Sequence, residues 1–316
     1  MDLSFAAYES CELCPRRCGV KRASGAKGVC GMSVQLTVAR AALHFWEEPP
    51  ISGEDGSGAV FFTGCPMKCV FCQNLSISRG RFGAPVSTER LSAIMLELQD
   101  QGALNINLVT PMHFAPHVVE AVARAREAGL TLPIVSNSSG YEREELVRAL
   151  KDTVDIWLTD FKYASPDLAR HFSGAGDYPE VAERALRAMV ETCEEKDGRK
   201  EGEDGRMLQG IIVRHLVIPG HVDDSCAVLD RVWGIAGNLV DLSVMNQYTP
   251  TEAVLSRGDE LSRPLDDEEY EVVLDHADDL GFDRMWWQQG GTVSESFVPE
   301  FDLTGVMPRD GGCDEV

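Results

Sequence analysis

From residue 59 onward, short apolar runs alternate with stretches whose apolar residues recur every three or four positions, the pattern of repeated strand–helix units. The runs predict strands near 59–63, 105–109, 132–136, 155–159, 210–217 and 241–245, and a further one near 284–287. Between them the periodicity predicts helices at 88–101, 116–128, 142–151, 179–193, 225–235 and 266–280. In the first of these helices Leu91, Ile94, Met95 and Leu98 form one stripe, with Ser87 placed to cap it and Gly102 to end it. Such a succession predicts an α/β fold in which parallel strands curl into a full or partial barrel, with reactive residues at the strands' C-terminal ends. Cys65 follows the first strand, Thr110 and Pro111 the second, Asn137 and Ser138 the third, and Asp160 with Lys162 the fourth.

This pattern divides the chain into an N-terminal cysteine-rich arm and connector (1–57), the barrel (58–289) and an extended or flexible tail (290–316). The charged run 194–206 reads as a solvated loop without a catalytic role. Of 316 residues, 29 are Lys or Arg and 51 Asp or Glu, a net charge of −22, which argues against a nucleic-acid partner. The start lacks the basic and long apolar regions of a signal peptide, and no run approaches the roughly 20 apolar residues of a membrane span. A soluble, cytoplasmic protein without a membrane partner is expected, and its ten cysteines then point to metal or redox chemistry rather than disulfides.

TGCPMKCVFCQN places Cys65, Cys69 and Cys72 in a C-x3-C-x2-C pattern with no fourth Cys or His close behind. Structural zinc normally takes four protein ligands, whereas three thiolates suit a [4Fe-4S] cluster with one iron left open. An open iron can take a substrate's amino and carboxylate groups. The first four cysteines, Cys11, Cys14, Cys18 and Cys30, follow C-x2-C-x3-C-x11-C, with Gly19 and Gly31 allowing tight turns beside two of the thiolates. Four thiolates make a closed site for which zinc and an auxiliary iron–sulfur cluster are both chemically open. An arm without metal is the third possibility.

At Cys65, Cys69 and Cys72 the sequence resembles the radical SAM superfamily. That resemblance implies a partial (βα)6 barrel, S-adenosylmethionine chelated at the unique iron, and reductive cleavage to a 5′-deoxyadenosyl radical that abstracts hydrogen. Phe71 then packs near the adenine. GCxxxCxxCxN with Asn74, D-x-K at Asp160 and Lys162, and R-x-x-x-x-P-G at Arg214, Pro219 and Gly220 are similar to the pyruvate formate-lyase activating enzymes. In that branch the corresponding residues help to bind the cofactor, the substrate is a glycyl radical enzyme, and a flavodoxin- or ferredoxin-type protein supplies the electron. The chain departs from the branch in three places. NLVTPMHF, with Thr110, replaces a GGEP motif; VSNSSGY, with Asn137 and Ser138, stands for D-T-N-G; and Gln247 falls where a histidine contacts the cofactor. With CxLCPRxCG at its start and HFWEEPPISG before the cluster loop, the chain looks most like a subgroup for which resemblance names no substrate.

The leading expectation is therefore a radical SAM oxidoreductase of the glycyl-radical-activating kind. Its alternatives are radical modification of a small metabolite or another protein side chain, and a non-catalytic iron–sulfur electron carrier. His44, Glu47 and Glu48 read as a loop packing the arm against the barrel. His113 and His117 do not read as a metal pair, since Pro116 stands between them. Arg214, facing opposite to its strand neighbour His215, is expected inside the barrel. Trp286 and Trp287 read as core and edge packing, and Cys193, Cys226 and Cys313 as spectators.

Overall fold

Runs such as SGAVFF and IVSNS are buried along their whole length, as strands covered on both faces must be. The computed structural model describes residues 1–288 and 298–308. Its strands are β1 (Thr37–His44), β2 (Ser57–Phe62), β3 (Ala84–Pro85), β4 (Ile106–Val109), β5 (Ile134–Ser138), β6 (Ile156–Asp160), β7 (Lys200–Glu201), β8 (Met207–Leu216), β9 (Asp241–Met245) and β10 (Met285–Trp287). They form one open sheet in the order β10-β9-β8-β6-β5-β4-β2-β1-β3, with β7 added to β8 as a hairpin. Neighbours from β2 to β10 are parallel, while β1 is antiparallel to both β2 and β3. The fold is α/β with a mostly parallel open sheet, a partial barrel.

The main helices are α1 (Thr88–Asp100), α2 (Ala115–Glu127), α3 (Glu144–Ala149), α4 (Pro166–Ser173), α5 (Tyr178–Glu194), α6 (Val222–Ala236) and α7 (Asp267–Leu280). In α1 the expected stripe is buried, and the Ser87 hydroxyl accepts from the Arg90 N–H at 3.1 Å. The predicted helix at 142–151 shrinks to α3, and the predicted strand at 210–217 begins three residues earlier as β8. Among the elements that were not anticipated, β1 and α4 matter most for the site. β1 has a helix-like alanine-rich sequence that pairing with β2 and β3 holds extended, and α4 lies in the loop after the D-x-K motif.

Alternate residues of the strands give the sheet two apolar layers. Outside, residues such as Trp157, Val213 and Val244 pack with the helices. Inside, Ile51 from the helical turn Pro49–Ser52 packs with Val135, Ile156, Leu158, Met207 and Ile212. The connector between arm and barrel therefore enters the barrel and plugs it. Trp286 and Trp287, on the edge strand β10, are 37% and 50% exposed, so they belong to the edge and not to the core.

Part of the expected tail, including Cys313, lies outside the described residues. Residues 298–308 follow β1: Ala41 N–H donates to Thr304 O at 2.8 Å, Leu303 N–H to Ala39 O at 3.1 Å, and Val306 is fully buried. Gly305 makes this approach feasible. It has φ of +70°, and a Cβ there would stand 1.9 Å from Ala41 O. Gly305→Ala is therefore expected to destabilise the protein by about 1–3 kcal/mol, read as a lowered urea midpoint; an unchanged midpoint would contradict the docking.

Candidate active site

The strands' C-terminal ends surround a cavity of about 240 Å³. Cys65, Cys69 and Cys72 border it, as do Asn74 and Gln247. So do Thr110, Asn137, Ser138, Asp160, Lys162 and Arg214, which come from four different strand ends. Phe71 is the exception among the expected site residues. Its ring is buried in the outer core, with centroids 6.3 Å from Phe172 and 6.1 Å from Tyr248, and does not border the cavity.

Charge organises the floor of the cavity. Arg214 donates from Nε to Asp160 Oδ1 at 3.0 Å and from Nη2 to Asn137 Oδ1 at 2.7 Å. Lys162 Nζ donates to Asp160 Oδ2 at 2.6 Å, so both oxygens of Asp160 are held by cations of the chain itself. Burial alone would raise Asp160, but Lys162 and Arg214 hold it below its ordinary value. Burial likewise opposes charge on Lys162, and the adjacent Asp160 outweighs it and raises Lys162.

The remaining carboxylates correct the reading of HFWEEPP as mere packing. Glu47 Oε2 accepts from Asn137 Nδ2 at 2.7 Å and also from Asn107 Nδ2, and Oε1 lies 3.5 Å from Arg214 Nη1. Burial pushes Glu48 up to about 7 although Arg214 draws it down. Both side chains border the cavity together with His44 and Trp46. A sequence signal existed: two adjacent carboxylates before Pro49-Pro50, on a chain with an interior arginine that needed more than one anion. His113 and His117 are structural, His113 Nε2 lying 2.9 Å from Thr63 O and His117 Nδ1 2.8 Å from Tyr8 OH. His215 points outward to Phe161 O at 2.8 Å, opposite to Arg214.

The cysteine loop leaves β2 and is gripped from several sides. Ser173 at the end of α4 donates to Cys69 Sγ at 3.0 Å, and Tyr163 OH lies 2.8 Å from the same hydroxyl. Neither residue was singled out in the sequence, because their approach depends on the unanticipated α4. Thr110 bonds Asn137 O at 2.8 Å through its N–H with φ of +60°, a costly conformation for a β-branched residue that here turns the chain at the cavity's edge.

The donor set fits an iron–sulfur cluster. Burial holds the Cys65 thiol up at about 12, so a positive centre is required before it ionises. Among the described residues no three Cys, His, Asp or Glu side chains converge as they would around a single metal ion. Three thiols without a fourth ligand close behind would suit a cluster with one open iron rather than a structural zinc ion. Asn74 Oδ1, buried without a hydrogen-bond partner, leaves an acceptor available at the same cavity.

Residues 59–196 match the family model described as the radical SAM superfamily. The matched segment contains the cysteine loop, Asn137 and the Asp160–Lys162 pair. The chain is 27% identical over 296 residues to uncharacterized protein MJ0674 of Methanocaldococcus jannaschii, covering 90% of this chain and 79% of that protein. It is 22% identical over 235 residues to uncharacterized protein MJ0808 of the same organism, covering 68% and 62%. Among solved structures, a radical SAM methyltransferase from Sphaerobacter thermophilus aligns with a TM-score of 0.46 at 12% identity, covering 74% of this chain and 67% of the other. Streptococcus suis SuiB bound to precursor peptide SuiA aligns with a TM-score of 0.48 at 13% identity, covering 72% and 47%. No helix among the described residues is long and apolar enough to cross a membrane.

Two expected outcomes follow from the buried groups. Burial pushes Glu142 from 4.5 up to about 8, so its contribution to stability is complete below about pH 4.5 and is lost as pH rises through about 8. Glu142→Gln should flatten that fall, whose steepest slope is about 1.4 kcal/mol per pH unit. Urea midpoints at several pH values check it, and parallel curves for the two proteins would refute it. Ser173→Ala removes a donor from Cys69, so the reduction potential of the reconstituted cluster should become more negative; spectroelectrochemical titration gives the sign.

Proposed function

We propose that the protein is a radical SAM enzyme that binds a [4Fe-4S] cluster at Cys65, Cys69 and Cys72 and reductively cleaves S-adenosylmethionine. The observation that carries this reading is the meeting of three thiols, the Asp160–Lys162 pair and Arg214 around one cavity. When bound, the cluster supplies one electron to the sulfonium of the cofactor. The chain's residues hold and orient. Lys162 and Arg214 present positive charge to a carboxylate or ribose, Asn74 and Ser138 present hydrogen-bonding groups, Thr110 and Gln247 border the same space, and the apolar strand ends restrict water. Phe71 acts on this reading through the core behind the loop.

The finer assignment is an activating enzyme of the pyruvate formate-lyase kind, acting on a glycine of a partner protein and fed by a flavodoxin- or ferredoxin-type reductant. Its support is the motif set of Asn74, Asp160, Lys162 and Arg214 together with the Pro219–Gly220 turn, where Gly220 adopts φ of +79°. A second reading, modification of a small metabolite or another side chain, is favoured by the Val109–Thr110 turn at the cavity, where the activating enzymes carry GGEP. We further propose that the arm's Cys11, Cys14, Cys18 and Cys30 hold zinc or an auxiliary cluster, that 1–57 and 58–289 act as arm and barrel, and that the protein works in the cytoplasm.

With dithionite and S-adenosylmethionine under anaerobic conditions, the reconstituted protein is expected to form 5′-deoxyadenosine and Cys69→Ala to form none. Equal product from both would eliminate the mechanism. An electron paramagnetic resonance spectrum of the reduced cluster that did not shift on adding the cofactor would favour the electron-carrier alternative. A glycyl doublet in a candidate partner enzyme would separate the activating reading from the metabolite one.

A further inference from the structure

The arm does more than lie beside the barrel; it grips the cysteine loop from the side away from the cavity. Cys30 O accepts from the backbone N–H of Cys65 at 3.2 Å and from Lys68 Nζ at 3.3 Å. Arg16 donates from Nε to Pro66 O at 3.0 Å, and from Nη1 and Nη2 to Gly174 O at 2.5 Å and Ser173 O at 3.0 Å. The two segments meet so closely at Gly64 that a Cβ there would stand 2.3 Å from Met32 Cγ and 2.9 Å from Cys30 O. Cys14 and Cys18 thus flank Arg16, and Cys30 itself supplies a carbonyl that holds the loop.

Arg22 supplies the independent observation. It is fully buried, stacked over Tyr8 at 4.6 Å and Phe114 at 5.3 Å, and donates to Ser33 O at 3.1 and 2.7 Å and to His113 O at 2.5 Å. Every one of those acceptors is a neutral carbonyl. Among the described residues Arg22 takes part in no ion pair with a carboxylate, and the other contact of its Nη1 is Cys11 Sγ at 3.6 Å. A guanidinium does not shed its proton, so burying it without an anion is costly. Further thiols of the arm lie near one another: a methyl group on Gly28 would touch both Cys18 Sγ at 3.1 Å and Cys30 Sγ at 3.6 Å. As thiols the arm's cysteines leave Arg22 uncompensated, whereas four thiolates around an iron–sulfur cluster carry net negative charge and match it.

We propose that Cys11, Cys14, Cys18 and Cys30 form a thiolate iron–sulfur centre with Arg22 as its buried counter-charge, and that this centre fixes the Cys65–Cys72 loop through Cys30 O and Arg16. The proposal deepens the reading given above and shares its assignment of the loop. The arm's metal, however, is measured without any radical chemistry.

In the first arm of the test Cys65, Cys69 and Cys72 are all replaced by serine, and the full-length protein is purified anaerobically for elemental analysis. About four iron with sulfide should remain per chain and identify the centre; no bound iron would overturn the proposal. In the second, Arg22→Gln should weaken metal retention against a chelator about tenfold or more, with Arg22→Lys nearer the unaltered protein. Equal retention by Gln and the unaltered protein would overturn the role of Arg22. In the third, hydrogen exchange of residues 64–72 should quicken when Cys14 and Cys30 are replaced by serine, while α5 exchanges as before. Unchanged loop exchange after loss of the arm's metal would overturn the coupling, and if α5 quickens too, the comparison is made on metal-stripped Arg22→Gln. Absence of 5′-deoxyadenosine in the unaltered protein would refute the radical reading and leave these three outcomes standing.

Discussion

One guanidinium inside the barrel sets much of the architecture around it. Arg214 can be accommodated there only if anions reach it from more than one direction, and they come from Asp160 on the adjacent strand and Glu47 on the connector. Each of these is in turn held, Asp160 by Lys162 and Glu47 by Asn107 and Asn137. The result ties the ends of β4, β5, β6 and β8 and a segment from before the barrel into one charge-balanced layer. Below it the interior is apolar, around Ile51; above it lies the cavity. A boundary between dry packing and a polar site is thereby fixed at one level of the barrel.

The cysteine loop is fixed by a different kind of force, main-chain hydrogen bonding at its back. Cys30 O, Arg16 and Ser173 hold its backbone and one of its sulfurs, while the cavity side presents the remaining thiols and Asn74. Rigid support behind and open chemistry in front suit a loop that must present ligands in a set geometry. The strained turn at Thr110 completes the rim opposite to it.

Much of this was legible in the sequence because it depends on local periodicity. The stripe of α1, its Ser87 cap and the residues that follow each parallel strand all express patterns of two or 3.6 residues, and the structure places them accordingly. The alternation on β8 likewise put Arg214 inside and His215 outside. What escaped depends on partners remote in sequence. Alanine-rich β1 is held extended by β2 and β3 beside it, and Gly305 lets the tail bond to β1 from the far end of the chain. Glu47 and Glu48 read as a loop packing the arm against the barrel, their role as partners of the interior Arg214 showing only once the strands meet, and Phe71 gains its neighbour Phe172 from α4, which the sequence had not revealed.

The Glu47–Arg214 pair also has a consequence for the order in which the molecule is made. The carboxylate and the guanidinium are 167 positions apart, so during synthesis the connector leaves the ribosome long before the cation that neutralises it. Until β8 arrives, Glu47 gains nothing by leaving water, and the interior of the growing sheet has no reason to admit it. Incorporation of the connector is thus a late event, coupled to the closing strands. A nascent chain that has already translated all of its cysteines up to Cys72 still lacks the floor beneath them, so the cavity matures from its last strands backward although its three cysteines emerge long before those strands.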